Sequence, residues 1–561
     1  MMKKILKFAA PIVFLLSFSL FSNAKELNAR IDELFSKWDS TASPGVALAI
    51  IKDGKIVYER GYGMADLEHN VPITPQTVFR IASTSKQFTA MCIALLAEQG
   101  KISLDDDIRK YIPELPKYPA PIKIKHLIYH TSGIRDYLDL QFLRGISDEE
   151  PYFPQDVIEL LSWQKALNFK PGDKFLYSNS GYFLLGVIVE RVSGKSLAQF
   201  AKENIFEPLG MKNTHFHDDH TQIVKNRAIG YAPKKGGGFK IADTILDIVG
   251  DGGVFTTVED LYLWDQNFYH NKLGKGRQEL IDLILTPGTL NNGEKLDYAF
   301  GLRIHEYRGL KVISHGGSFV GFRAQMIRFP EQKFSVICLA NLSSINPTKL
   351  CFKVADIYLA NYFKKPKEEK IEIKPIELPE KELKKVTGIY YESESGRLIR
   401  ILLKDKKLLM KAYGYNITLL PISETKFVTS DSPFDITIDF LGKNKKGEKK
   451  IQLKINDRQP IILKSIHPLM LSYEQLKEYT GNYYSEELQF NYKIVIRKNK
   501  LFFDFRNAPE SPLEPTIKDN FWNEEGIKIE FYRDNSGIIK GLYILSLIHI
   551  SEPTRLGMIS Y

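Results

Sequence analysis

An internal repeat limits what this chain can fold into. "LKKVTGIYY", starting at Leu383, returns as "LKEYTGNYY" from Leu476, 93 residues later. The register persists downstream, where Ile401 of "IRILLKDKKLLMK" corresponds to Ile494 of "YKIVIRKNKLFFDF", and Leu408 to Leu501. Short alternating strands repeated at a fixed interval predict two tandem all-β modules, each a small antiparallel barrel, over residues 381–470 and 471–544. Ahead of them "KKPKEEKIEIKPIELPEKE" is dense in Lys, Glu and Pro and reads as a linker over 364–380. The chain has 561 residues, too many for one ordinary domain.

Residues 25–363 carry a mixed α and β pattern. "LNARIDELFSKWD" places Leu27, Ile31, Leu34 and Phe35 on one helical face. "GVALAIIKDGKIVYERGYG" reads as a hairpin turning at Asp53-Gly54. "INPTKLCFKVADIYLANYF" closes the region as a helix, with Asn346 as cap and Pro347 in the first turn. The region holds its own opening and closing helices, so it is expected to fold without the barrels.

The two ends read differently from the rest. At the start, Lys3, Lys4 and Lys7 precede an apolar run from Phe8 to Phe21, and Ser22-Asn23-Ala24 supplies small residues for a signal peptidase. Residues 1–24 are therefore expected to be a signal peptide that leaves a periplasmic or secreted protein with no stable membrane insertion. The other end, "LSLIHISEPTR" from Leu545, resembles an in-frame translation of a sequencing adapter. Residues 545–561 are expected to be a non-native tail, which would leave the second barrel truncated and its sheet edge open.

Net charge is +10, and losing the three leader lysines lowers it to +7. The excess is scattered Lys without a sustained basic stripe, so no nucleic-acid partner is expected. Three cysteines, Cys92, Cys338 and Cys351, each lie in an apolar context, which suits buried thiols better than a disulfide scaffold.

Four clusters carry candidate chemistry. "NTHFHDDHTQ" contains His215, His217, Asp219 and His220 at a spacing seen in zinc hydrolases. A zinc site of that kind would need a long apolar strand before the cluster, glycines after it and further ligands downstream. That context is missing, so no metal and no cofactor are expected.

The second cluster is "FRIASTSKQFTAMCIALLAEQGK". Ser83-x-x-Lys86 opens a helix whose apolar residues Phe88, Met91, Cys92 and Leu95 recur at helical spacing. Three residues apart, hydroxyl and amine share a helix face. The hydroxyl then lies where free N–H groups can stabilise developing negative charge. The same spacing occurs at Ser22/Lys25, Ser162/Lys165 and Ser423/Lys426, but only Ser83/Lys86 opens an apolar helix.

The third cluster, Tyr177-Ser178-Asn179, precedes another apolar helix; Tyr269-His270-Asn271 shares its spacing but ends an acidic stretch. A phenol beside Lys86 could shuttle a proton, and an Asn could orient a substrate amide. The fourth is the single His-x-Gly in the chain, His315-Gly316-Gly317, in a late strand, where glycines would let a substrate backbone approach.

Ser-x-x-Lys, then Tyr-x-Asn, then His-x-Gly on a late strand resembles the penicillin-recognising serine hydrolases, in particular the branch of class C β-lactamases, DD-peptidases, related esterases and D-aminopeptidases. The likeness continues in "HLIYHTSGI", "LGMKNTHF", "GDGGVFTTVEDLYLW" and "VICLANL". It implies an α+β fold of the β-lactamase/transpeptidase type, an antiparallel sheet flanked by helices, followed by two lipocalin-like barrels. It also implies a serine hydrolase acting through an acyl-serine intermediate. Carried over, Ser83 is the nucleophile, Lys86 and Tyr177 are general bases, and Asn179 orients substrate alongside His315, Gly316 and Gly317. The backbone N–H groups of Ser83 and Ser318 would form the oxyanion hole.

Where β-lactamases of this type carry Lys, this chain has His315. A mostly neutral imidazole holds a carboxylate less firmly than a permanent ammonium. The expected substrate is a small amide in a D-amino-acid-containing peptide, peptidoglycan fragments among them. A small ester or a β-lactam are alternatives. A silent peptidoglycan-fragment binder, the non-enzyme alternative, would be expected to lack Ser83, Lys86 or Tyr177. Arg303 and Arg323 are further candidates for holding a carboxylate, against surface or ion-pair roles.

Overall fold

The computed structural model describes residues 25–147, 150–364, 375–392, 398–412, 415–429, 436–445, 447–455, 459–508, 511–523, 527–546 and 554–560. Residues 1–24, where a leader was expected, and most of the expected linker lie outside them. Among the described residues no helix is long and apolar enough to cross a membrane. Packing divides the chain into two units. The first draws on the described residues of Met1–Ser103, Leu185–Gly288 and Lys295–Lys365, and the second on those of Leu104–Leu184, Thr289–Glu294 and Pro366–Tyr561.

The first unit is built on a six-stranded antiparallel sheet in the order Arg303–Tyr307, Leu310–Phe319, Phe322–Phe329, Phe334–Ala340, Val46–Lys52, Lys55–Tyr62. The neighbouring interior strands "VALAIIK" and "FSVICLA" are apolar apart from Lys52 and Ser335, because both faces of the sheet are covered. Val46, Leu48 and Ile50 pack in one core with Val336, Cys338 and Ala340 and with Leu350, Cys351 and Val354 of the closing helix Pro347–Tyr358. Each such side chain contributes roughly 1.5–3 kcal/mol by leaving water. The helix Val258–Asn267 also packs against the strands Val46–Lys52 and Phe334–Ala340.

The local expectations for this unit hold. The opening helix covers 25–35, with Ile31 and Phe35 fully buried. Asp53 and Gly54 both take positive φ (50° and 76°), as a two-residue hairpin turn requires. Asn346 caps the closing helix, its Oδ1 accepting from Lys349 N at 3.0 Å. All three cysteines are buried thiols.

The second unit combines a helical segment with the repeated modules. The helices are Ile124–Ile128, Tyr137–Leu143 and Pro154–Ser162, with the start of Asn179–Ser193. The first module is a closed eight-stranded antiparallel barrel from Gly388–Tyr391 to Ile461–Ile466. Its interior is the alternating set Tyr390, Ile399, Ile401, Leu408, Met410, Phe427, Ile438, Ile451, Leu453 and Leu463. The repeat has a physical basis in a shared corner. Tyr390 Oη donates to Val386 O (2.6 Å), and its counterpart Tyr483 donates to Tyr479 O (3.0 Å), each reaching back four residues to the preceding helical turn.

The second module is an eight-stranded sheet. The place that Ile461–Ile466 fills in the first module is taken here by Thr554–Ser560, paired with both Gly481–Ser485 and Ile539–Ser546. The open edge expected at this point is therefore covered, by a strand from the stretch expected to be a tail. Residues 547–553, which lead into it, lie outside the described residues.

Candidate active site

Ser83 sits in a tight turn, Ala82–Ser85, that runs directly into the helix Lys86–Glu98. Ala82 holds a left-handed φ of 47°, a conformation that costs an alanine energy and persists only where the surroundings enforce it. Lys86 Nζ lies 3.2 Å from Ser83 Oγ. The lysine is fully buried, Ser83 only partly so, and Nζ also donates to Asp251 O at 2.6 Å. That carbonyl belongs to the "GDGG" loop, which grips the same helix through Thr89 Oγ1 to Gly250 O (2.6 Å) and Val254 N to Ser85 Oγ (3.0 Å). A base within hydrogen-bond reach of a partly exposed hydroxyl can activate it as a nucleophile.

The strand Leu310–Phe319 runs past the same turn. Gly317 is required by the protein itself: a Cβ there would lie 2.0 Å from Ile81 O. The missing side chain lets the strand press against the backbone just ahead of Ser83, where the sequence suggested room for substrate. Ser318, next along, is exposed.

His315 is buried, with its Nδ1 2.7 Å from Gly316 O and its Nε2 3.0 Å from Tyr298 Oη. A carbonyl only accepts, so the ring proton is on Nδ1 and Nε2 accepts from the phenol. Burial, and then the nearby Lys86 charge, push its pKa down to about 3. The side chain is a neutral imidazole at ordinary pH. Arg303 is held by Asp297 (2.8 Å), and Arg323 by the carbonyls of Val320 (2.9 Å) and Phe322 (2.6 Å).

Tyr177 and Asn179 belong to the second unit. Sequence reasoning missed the two residues that hold them. The His130 ring stacks on Tyr177 with centroids 4.2 Å apart, and its Nδ1 accepts from Ser178 N at 3.0 Å. Asp136 Oδ2 accepts from Asn179 N at 2.5 Å. Ser180 Oγ donates to Arg135 O (2.7 Å) and accepts from Tyr137 N (2.8 Å). The only signal for these supports was "HLIYHTSGI" with its next two residues, Arg135 and Asp136, a stretch that carried family likeness without a chemical motif.

The side chains of the His cluster have partners of their own. His215 and His217 pack on Phe255, and His217 is buried and driven to about pKa 3, first by burial and then by Arg80. His220 pairs with Asp247 at 2.9 Å. Among the described residues no group of three or more His, Cys, Asp or Glu is placed to hold a metal ion. Two of the rival Ser-x-x-Lys pairs are engaged elsewhere: Ser162 donates to Glu159 O, Lys165 pairs with Glu486, and Ser423 closes a turn on Lys426 N. Ser22 of the third lies outside the described residues.

Comparison with known proteins places the chain in a family. The family model described as Beta-lactamase matches residues 28–350. A penicillin-binding protein of Bacillus subtilis is 30% identical over 411 residues, covering 68% of this chain and 87% of its own length. A D-aminopeptidase of Brucella anthropi is 30% identical over 318 residues, covering 56% of this chain and 59% of its own length. The chain therefore spans under two thirds of that relative. Among solved structures, the octameric penicillin-binding protein homologue from Pyrococcus abyssi shares 29% identity at a TM-score of 0.55, covering 78% of this chain and 99% of that one.

Proposed function

We propose a substrate class for this chain from one premise: it belongs to the beta-lactamase family and is a serine hydrolase. The proposed reaction is hydrolysis of a small amide in a D-amino-acid-containing peptide. The observation that carries the reading is the buried Lys86 amine 3.2 Å from the partly exposed Ser83 hydroxyl. In the proposed cycle the unprotonated Lys86 amine takes the one Ser83 proton as the oxygen attacks the amide carbonyl, and Tyr177, the second base, relays that proton towards the leaving amine. The resulting oxyanion is held by the backbone N–H groups of Ser83 and Ser318. A proton returned through Tyr177 releases the amine, and water then hydrolyses the acyl-serine. Asn179 is assigned to orienting the amide, and His315, Gly316 and Gly317 to the substrate-binding strand.

The neutral His315 supports an amide over a β-lactam. Its Nδ1 proton is committed to a backbone carbonyl and its Nε2 to Tyr298, so it offers no charge to a substrate carboxylate. A relative named D-aminopeptidase supports the choice of a D-residue. The test is to compare kcat/KM for D-alanyl amides and peptides, their L-isomers, p-nitrophenyl esters and nitrocefin, with and without EDTA. The D-amides should lead, with EDTA inert. Nitrocefin leading, or L-isomers equal to D, would reject the proposed substrate class.

A further inference from the structure

The second module does more than follow the helical segment in sequence. Its turn between the strands Gly481–Ser485 and Phe490–Arg497 is inserted into that segment. The Glu487 carboxylate accepts from Arg135 Nη1 at 2.8 Å and from Lys165 N at 2.7 Å. The side chains of Arg135 and Glu487 are only 3% and 7% exposed. Gln164 closes the ring, its Oε1 accepting from Arg135 Nη1 (2.8 Å) and its Nε2 donating to Glu487 O (2.7 Å). Around this centre Tyr492 Oη donates to Leu143 O at 2.9 Å, and Asn507 Nδ2 to Gly145 O at 2.8 Å. Gly145, at a φ of 71°, has no room for a Cβ, which would stand 2.2 Å from Arg506 O.

Arg135 leads from this interface to the candidate site. Its own carbonyl accepts from Ser180 Oγ, and the carboxylate of the next residue, Asp136, accepts from Asn179 N. A charge pair desolvated to this degree is costly to break from one side. The turn, Arg135 and the start of the helix Asn179–Ser193 are therefore fixed together.

We propose that Glu487 is a positioning residue for acyl transfer: from the second module it holds Arg135, and through Arg135 and Asp136 it sets the placement of Tyr177 and Asn179. Glu487 touches no reacting atom. The inference rests on the reading of Ser83 as the acylated nucleophile.

The test uses the full chain and per-active-site rates, measured well below the melting midpoint so that lost stability does not register as lost rate. Glu487→Gln should slow the D-amide kcat and the pseudo-first-order labelling of Ser83 by a fluorophosphonate about 10–100-fold, as a small misplacement of catalytic groups does, with KM changed less than kcat. Glu487→Asp should recover part of the loss. Gln164→Met, which keeps both charges paired, should give a smaller drop in the same direction and serves if Glu487→Gln does not fold. Asp504→Asn, on an exposed ion pair of the same module, should label like the wild type. A folded Glu487→Gln protein that labels and turns over at the wild-type rate overturns the inference alone, as does wild-type behaviour in Gln164→Met if the first variant does not fold. A wild type that neither labels nor turns over any substrate overturns the functional reading, and this inference with it.

Discussion

His315 and His217 show what burial does to a single side chain. Both are pushed down to about pKa 3, mainly by desolvation, so the folded protein keeps them neutral. The unfolded chain binds a proton at each from about pH 6.5 downward, so their contribution to stability is intact above pH 6.5 and is lost as pH falls towards 3. Urea midpoints at pH 7 and pH 4.5 should therefore diverge for the wild type. His217→Gln should reduce that divergence, by up to about 1.4 kcal/mol per pH unit. An unchanged divergence would refute the assignment of a buried neutral ring. That His315 is neutral was legible in the sequence only as a general property of imidazole. The depth of the shift comes from burial and then the Lys86 charge, and the tautomer is fixed in part by Tyr298, which lies 17 residues away.

At the scale of elements, the turn before the helix Lys86–Glu98 and the strand Leu310–Phe319 define the site together. Lys86→Met keeps the length of the side chain and removes its base. It should lower turnover about 10²–10⁴-fold while leaving circular dichroism unchanged. Gly317→Ala should push the strand away from Ile81 O and spoil the Ser318 donor, at a cost of about 2.7–4 kcal/mol in the barrier. Near-wild-type turnover from either variant would refute the corresponding role. Ser83-x-x-Lys86 was readable because helical periodicity makes spacing equivalent to geometry. The hairpin at Asp53-Gly54 and the cap at Asn346 were readable for the same local reasons. The use of Gly317 was misread. Its constraint is Ile81, more than two hundred residues earlier, and no local pattern carries a contact of that range. His130 and Asp136 were missed likewise, since a buried acceptor for a backbone N–H leaves no periodic mark.

At the scale of the whole molecule, the repeat at 93 residues predicted two barrels; the first module is a closed barrel, while the second is an eight-stranded sheet that shares its Tyr390/Tyr483 corner. Glu487 neutralises Arg135, a buried cation of the helical segment, which weighs against residues 25–363 folding alone. A protein ending at residue 363 should therefore be poorly soluble or lose D-amide turnover. A soluble fragment with full activity would show that the pair is dispensable. The central claim concerns Ser83 itself, and intact-mass and peptide mapping after a fluorophosphonate or slow β-lactam probe test it most directly. One adduct should form per chain, on the tryptic peptide carrying "IASTSK", and Ser83→Ala should lose both the adduct and turnover. An adduct that persists in Ser83→Ala, or that maps to Ser162 or Ser423, would contradict the account.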